Sequence, residues 1–256
     1  MSVGLLVDVT RCTGCERCVD ACVQQNRLDP AKADQDRATL PDGLSANRLT
    51  TVQPLGSDHF AKKACMHCLE PSCVSACLVG GLTKRSDGAV VYDPDKCIGC
   101  RYCMLACPFE IPRYQWDRTV PFMAKCELCE EKTAEGGEPA CVEACEEGVL
   151  KWGQRDDLLA EARRRLQNYP NLYVQRIWGE HEFGGTSVLY ISDVDLEELG
   201  WPASETESIP HMTEPVLMAT PAIGGSVLAG VAGVNWIIRR RMKLRGEESH
   251  AEGGEQ

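Results

Sequence analysis

The residues in this chain that carry the most chemistry are its cysteines. Cys97-Ile98-Gly99-Cys100-Arg101-Tyr102-Cys103-Met104-Leu105-Ala106-Cys107-Pro108 reads C-x2-C-x2-C-x3-C-P. Three thiolates at this spacing wrap one face of an iron–sulfur cubane, while the fourth begins a helix and points to a second cluster. Gly99 lets the loop bend so that backbone N–H groups reach the inorganic sulfurs. Cys12, Cys15, Cys18 and Cys22 repeat the x2-x2-x3 spacing. Cys65, Cys68, Cys73 and Cys77 follow x2-x4-x3, and Cys126, Cys129, Cys141 and Cys145 follow x2-x11-x3. The 16 cysteines fall into four groups with none left over. Each 4Fe-4S cluster takes four thiolates, so the count predicts four clusters and sixteen metal-ligating residues.

Two other chemistries compete for these cysteines. A disulfide framework fails on spacing, because C-x2-C pairs this dense rarely meet disulfide geometry, and a chain of this length needs no such staples. All-cysteine zinc sites also use C-x2-C pairs. They rarely add a third cysteine at x2 and a fourth at x3, so a zinc-binding interaction module is the weaker reading. His67 lies inside the second group, but four cysteines already fill that site, which predicts a supporting or exposed role for the imidazole.

The elements that must hold these groups can be read around them. Residues 3–9 form an apolar run predicted as a strand, and Val90-Val91-Tyr92 is another, after a turn at Ser86-Asp87-Gly88. Each runs into Asp-x-x-x-Cys, at Asp8 and Cys12 and at Asp93 and Cys97, which is an internal repeat. Residues 23–58 form a polar insertion with a turn at Pro41-Asp42-Gly43 and a return strand over Arg48 to Leu55. The residues leave open whether it is a solvated loop or a docking surface. Ile111 to Phe122 carries Pro112 and Pro121 and is no long helix; its aromatics are expected to face inward. Lys125 precedes Cys126. Beside a cluster it would raise the potential by stabilising the more negative reduced state, and the alternative is an ordinary exposed lysine. Asp157 to Gln167 reads as a helix capped by Asp156 or Asp157, with Leu158, Leu159, Ala162 and Leu166 on one face and Arg163, Arg164 and Arg165 solvated. Val188 to Ile191 reads as a buried strand.

Composition narrows the function. Aromatics are only 6% of the chain, so metal–thiolate bonds are expected to supply folding energy that apolar burial does not. A net charge of −11 disfavours nucleic-acid phosphate as a partner. Met1 to Arg11 is too short for a secretory n-region and h-region ahead of Cys12, which predicts export, if any, without a signal peptide of its own. Residues 201–214 read as a linker. Residues 215–238 carry no formal charge and could cross about 30 Å of hydrocarbon at about 1.5 Å per residue. Arg239, Arg240, Arg241, Lys243 and Arg245 follow, and Glu205, Glu207 and Glu214 precede. The positive-inside rule then puts the C-terminus in the cytoplasm and the cluster domain on the periplasmic side. Gly225, Ala229 and Gly233 recur at i+4 spacing, which suits packing against another membrane helix. The span has no histidine to offer a haem. The tail 239–256, basic and then charged, is expected to be disordered from Glu247.

With those motifs in view, the chain resembles the four-cluster iron–sulfur (beta) subunits of membrane-bound oxidoreductases, in particular those of formate dehydrogenase-N-type enzymes and the related hydrogenase electron-transfer subunits. The resemblance rests on the four cysteine groups, Lys125-Cys126-x2-Cys129 and Pro139-Ala140-Cys141-Val142. It extends through Tyr173 to Pro202, with Gly179-Glu180-His181-Glu182-Phe183-Gly184-Gly185-Thr186 and Leu199-Gly200-Trp201-Pro202, and includes the single C-terminal membrane helix. It implies an α+β fold, a tandem bacterial-ferredoxin-like domain over residues 1–200, with crossed ligation. Cys12, Cys15, Cys18 and Cys145 would hold one cluster; Cys22, Cys126, Cys129 and Cys141 its neighbour. Cys65, Cys68, Cys73 and Cys107 would hold a third; Cys77, Cys97, Cys100 and Cys103 the fourth. The resemblance also implies electron transfer from a catalytic subunit, molybdopterin-bearing by preference or nickel–iron, to a membrane cytochrome b or quinone-binding subunit. The chain itself would have no catalytic residues, and it would be exported on its partner's signal. A free-standing polyferredoxin with a core-packed tail is the remaining alternative.

Overall fold

The computed structural model describes residues 2–56, 58–119, 121–199 and 207–252. The chain divides into two units, residues 1–210 and 211–256.

The first unit starts with β1 (Val3–Asp8), a short 3-10 turn at Val9–Arg11, the first cysteine loop and α1 (Arg17–Gln25). Residues of the polar insertion then form α2 (Pro30–Thr39) and β2 (Thr51–Leu55), which pairs antiparallel with β3 (His59–Lys63). The expected excursion is therefore part of the folded unit. Asp29 caps α2 by accepting the amide N–H groups of Ala31 and Lys32, with Pro30 in its first turn. That Asp-Pro pair is a helix-start signal which the reading of a loop passed over. The insertion is also tied back to the first cysteine loop. Buried Arg48 donates to Glu16 at 3.2 Å, and Arg37 pairs with the same carboxylate at 2.9 Å.

After the second cysteine group come α3 (Ser72–Ser75) and the hairpin of β4 (Leu82–Lys84) and β5 (Val90–Tyr92). The opening motif leads into α4 (Tyr102–Ala106), followed by the small hairpin of β6 (Arg113–Tyr114) and β7 (Met123–Ala124). Of the aromatics there, only Tyr114 is buried. Trp116 lies 62% exposed under the Arg101 guanidinium, whose carbon sits 4.5 Å from the ring centre, so the expected inward packing holds for one ring only. The fourth cysteine group carries α5 (Glu130–Ala134) and α6 (Ala140–Glu143), and β8 (Leu150–Gln154), α7 (Arg155–Asn168) and β9 (Val188–Ile191) complete the unit.

The three-stranded sheet has the order β8-β1-β9, with β1 antiparallel to β8 and parallel to β9. Strand alternation lets β1 serve two cores. Leu6 packs with Leu158, Leu159, Ala162 and Leu166 of α7, while Leu5 and Val7 face the core that includes Cys12, Cys18, Cys65, Cys68, Cys107, Cys141 and Cys145. The sheet thus separates a conventional apolar layer from a sulfur-rich one. Arg165, expected on a solvated face, instead reaches Asp8 at 2.8 Å. Tyr173 and Thr10 also donate to that buried carboxylate, at 2.9 and 2.6 Å.

The second unit is the continuation of α8 (Ile209–Glu252), interrupted in sequence but not in helicity by Pro215 and Pro221. The stretch Ile209–Lys243 is long and apolar enough to cross a membrane. Two expectations change here. Residues 209–214, read as linker, are already helical, with Pro210 in the first turn where its missing N–H leaves no bond unmade. The tail expected to be disordered continues the helix through Glu252, as arginine, lysine and glutamate are good helix formers. Residues 200–206 and 253–256, and with them Gly200-Trp201-Pro202, lie outside the described residues.

Candidate metal centre

The repeat legible in the sequence is also a repeat of backbone. Gly14 and Gly99 both take a left-handed conformation, with φ of 72° and 71°, and so do Glu16 and Arg101 just before the two helices. At Gly14 a side chain is excluded twice over, because a Cβ would lie 2.8 Å from the ring of Phe60. These turns aim backbone donors at sulfur: Gly99 N–H lies 3.4 Å from Cys97 Sγ, Leu128 N–H 3.4 Å from Cys126 Sγ, and Gly81 N–H 3.2 Å from Cys77 Sγ. Donors placed this way stabilise charge on the sulfur and tune whatever metal it holds.

The fold regroups the sixteen thiols across the sequence groups. Cys12, Cys15, Cys18 and Cys145 line one cavity. Cys22, Cys126, Cys129 and Cys141 line another, which Cys65 also borders. Cys68 has Cys65, Cys107 and Cys73 as its charged neighbours. Cys103 has Cys97 and Cys100, and Cys77 and Cys73 both pack with Cys103 on the small core of Leu82, Val90, Tyr114 and Met123. Burial dominates their chemistry. It pushes the Cys73 and Cys141 thiols up to about 12, and like-charge neighbours add to the effect. Cys15, at the surface, moves the other way because Arg17 hydrogen-bonds its sulfur. Burial favours the neutral thiol, so holding these cysteines as thiolates would take a cationic metal among them.

The cavities distinguish between metals. Tetrahedral zinc holds sulfurs at about 2.3 Å, which draws four thiolates tightly together. Among the described residues, no three Cys, His, Asp or Glu side chains converge as they would on a single ion. Four thiols lining one shared cavity suit a polynuclear cluster, with the iron as the cationic part.

Three polar residues lie inside this layer, two of them singled out in the sequence and one not. His67 is fully buried; Nδ1 accepts the Val90 N–H at 2.9 Å, which leaves the proton on Nε2, and Nε2 has no partner among the described residues. Lys125 is buried too, donating to the carbonyls of Val90 and Cys126. Its charge bears on Cys65, Cys73 and Cys107, so the exposed alternative is set aside. Lys62 drew no attention in the sequence, because it sits in an unremarkable Lys-Lys pair ending β3.

Comparison with known proteins follows from this geometry. Residues 57–155 match the model of the 4Fe-4S dicluster domain. The chain is 40% identical to a protein of Nitratidesulfovibrio vulgaris whose name states no function, across 96% of this chain and 70% of that one. It is 34% identical to the hydrogenase-2 operon protein HybA of Escherichia coli O157:H7, across 99% and 88%. It is 30% identical to the formate dehydrogenase iron–sulfur subunit of Haemophilus influenzae, across 91% and 80%. The chain belongs to the iron–sulfur electron-transfer subunits of oxidoreductases. As such a subunit it binds 4Fe-4S clusters in a ferredoxin-like domain, and it carries one candidate membrane helix at its C-terminal end.

Proposed function

We propose that this subunit relays electrons through four 4Fe-4S clusters in a tandem ferredoxin-like domain, between a catalytic subunit and a membrane cytochrome b or quinone-binding subunit. The observation that carries the count is the regrouping of the thiols. Cys145 stands with Cys12, Cys15 and Cys18, Cys22 with Cys126, Cys129 and Cys141, and Cys107 with Cys65, Cys68 and Cys73. Cys77, Cys97, Cys100 and Cys103 make the fourth set. When bound, the clusters supply one-electron acceptor and donor sites. The chain's own residues hold them, aim N–H donors at the sulfurs and exclude water from the inner sets. It has no catalytic residues of its own.

The catalytic partner we favour is a hydrogenase. The likeness to HybA is higher and covers more of both chains than the likeness to the formate dehydrogenase subunit. A molybdopterin partner, the first expectation from the motifs, is the second reading. We place the cluster domain on the periplasmic side, with α8 spanning the membrane and Arg239, Arg240, Arg241 and Lys243 on the cytoplasmic side, as the flanking charges favour.

Anaerobic purification in mild detergent, with mass spectrometry of the co-purifying chains and iron and sulfide analysis, tests both statements. A nickel–iron large subunit with a membrane partner supports the hydrogenase reading, and a molybdopterin subunit moves the assignment to formate dehydrogenase. Recovery of the chain alone without detergent leaves a free polyferredoxin and overturns the complex.

A further inference from the structure

Lys62 is 4% exposed, at the end of β3. Among the described residues its ammonium has one hydrogen-bond partner, the hydroxyl of Thr50. Its backbone carbonyl accepts the buried Tyr190 hydroxyl at 2.9 Å, which fixes the strand beneath it. The side chain lines two cavities at once: that of Cys12, Cys15, Cys18 and Cys145, and that of Cys22, Cys126, Cys129 and Cys141. The charged groups acting on it are sulfurs of both sets, Cys141, Cys18, Cys22 and Cys126.

A buried ammonium without a carboxylate is costly unless other anions compensate. Here the anions are thiolates on both sides, together with the clusters they would hold. In a low-dielectric interior, a positive charge favours the more negative redox state of a nearby centre. We propose that Lys62 is a fixed cation shared by these two sets, and that it raises the potentials of both their clusters together. An electron on either cluster then rests against the same ammonium. Lys125 is centred on another set, since its charge bears on Cys65, Cys73 and Cys107, although it also reaches Cys126. The role assigned to Lys62 rests on the four-cluster reading and adds to it the residue that couples two neighbouring centres.

EPR-monitored redox titration of the complex, purified anaerobically in detergent, tests this. Lys62→Met is expected to keep its iron and to move two of the four midpoint potentials negative. The expected shift is about tenfold in the reduced-to-oxidised ratio, or about 59 mV for one electron. Lys62→Arg should titrate close to the natural chain. Full iron with no potential moved, or only one, overturns the proposal. If Lys62→Met and Lys62→Gln both lose iron, full loading of Lys62→Arg supports a requirement for the charge, whereas iron loss in Lys62→Arg as well overturns it in favour of packing. Natural chain without iron and sulfide would overturn the four-cluster reading itself, which the metal analysis reports separately from the titration.

Discussion

The loops at Cys12 and Cys97 share one spacing and one backbone path, yet they end in opposite surroundings. The first has buried flanking residues, although Cys15 itself lies at the surface. Its entry carboxylate, Asp8, is 1% exposed and bound by Arg165, Tyr173 and Thr10, and its glycine packs against Phe60. The second is open. Asp93 makes a surface pair with Lys96 and caps its own turn through the Asp95 N–H, Gly99 has empty space around it, and Leu105 is 85% exposed beside exposed Ile98 and Tyr102. A single residue explains much of the divergence. Pro108 follows Cys107 and forces it out of helical conformation, to ψ 114°, which stops α4 after five residues. Val23 follows Cys22 instead, so α1 runs on for nine residues, far enough to pack on α6 and bury Cys22. The same ligand spacing can therefore be set in a buried frame with its fourth thiol enclosed, or in an open one.

Cysteine replacement should show this contrast most strongly. Cys22→Ala is expected to lose about four of sixteen irons, the complement of one 4Fe-4S cluster, and to become protease-sensitive, since the thiol it removes is buried. Cys100→Ala should lose a similar amount of iron from a chain that stays resistant. Iron analysis with limited proteolysis reads both, and equal resistance of the two variants would remove the distinction between the regions. Loss from Cys22→Ala of only the cluster beside Cys12, Cys15 and Cys18 would refute the crossed arrangement. Chelation under air comes next in size. The first quarter of the iron should leave from the Cys97 region, and EPR at intervals would show which signal disappears first.

Arg48→Ala probes how far the enclosure depends on the polar insertion. It leaves Glu16, itself mostly buried, with Arg37 alone, and should destabilise the chain by about 3 kcal/mol. Denaturant titration of the iron-loaded protein measures this, and an unchanged midpoint would make the insertion a passive loop. The smallest effect is expected for Tyr114→Phe, which removes a hydroxyl 3.7 Å from Cys103 Sγ. A hydrogen bond of this kind is worth about 1 kcal/mol, so only the cluster of the open region should move, to slightly more negative potential. A shift at any other cluster would show that the regions are electrostatically joined.

Much of this was legible in the sequence because it is local. The strands at Val90–Tyr92 and Val188–Ile191, the helix with Leu158, Leu159, Ala162 and Leu166 buried, and the apolar stretch inside α8 all follow from patterns within a few residues. The four cysteine groups follow from spacing alone, since a cubane fixes how far apart its ligands lie along a loop. Interior charge was legible only as one of two readings at Lys125, and not elsewhere. Lys62, Lys125, Arg48, Asp8 and Arg165 are polar in any linear reading. Their burial depends on partners 157 residues away for Asp8 and Arg165, and 32 away for Arg48 and Glu16. Sequence by itself determined which atoms can bind metal, because ligand identity and loop geometry are properties of short segments. Tertiary structure decided which thiols stand together, which are shielded, and where a lysine lies between two sets of them. Those outcomes depend on distances across the fold and on the low dielectric that packing creates, and neither is a property of any one stretch of chain.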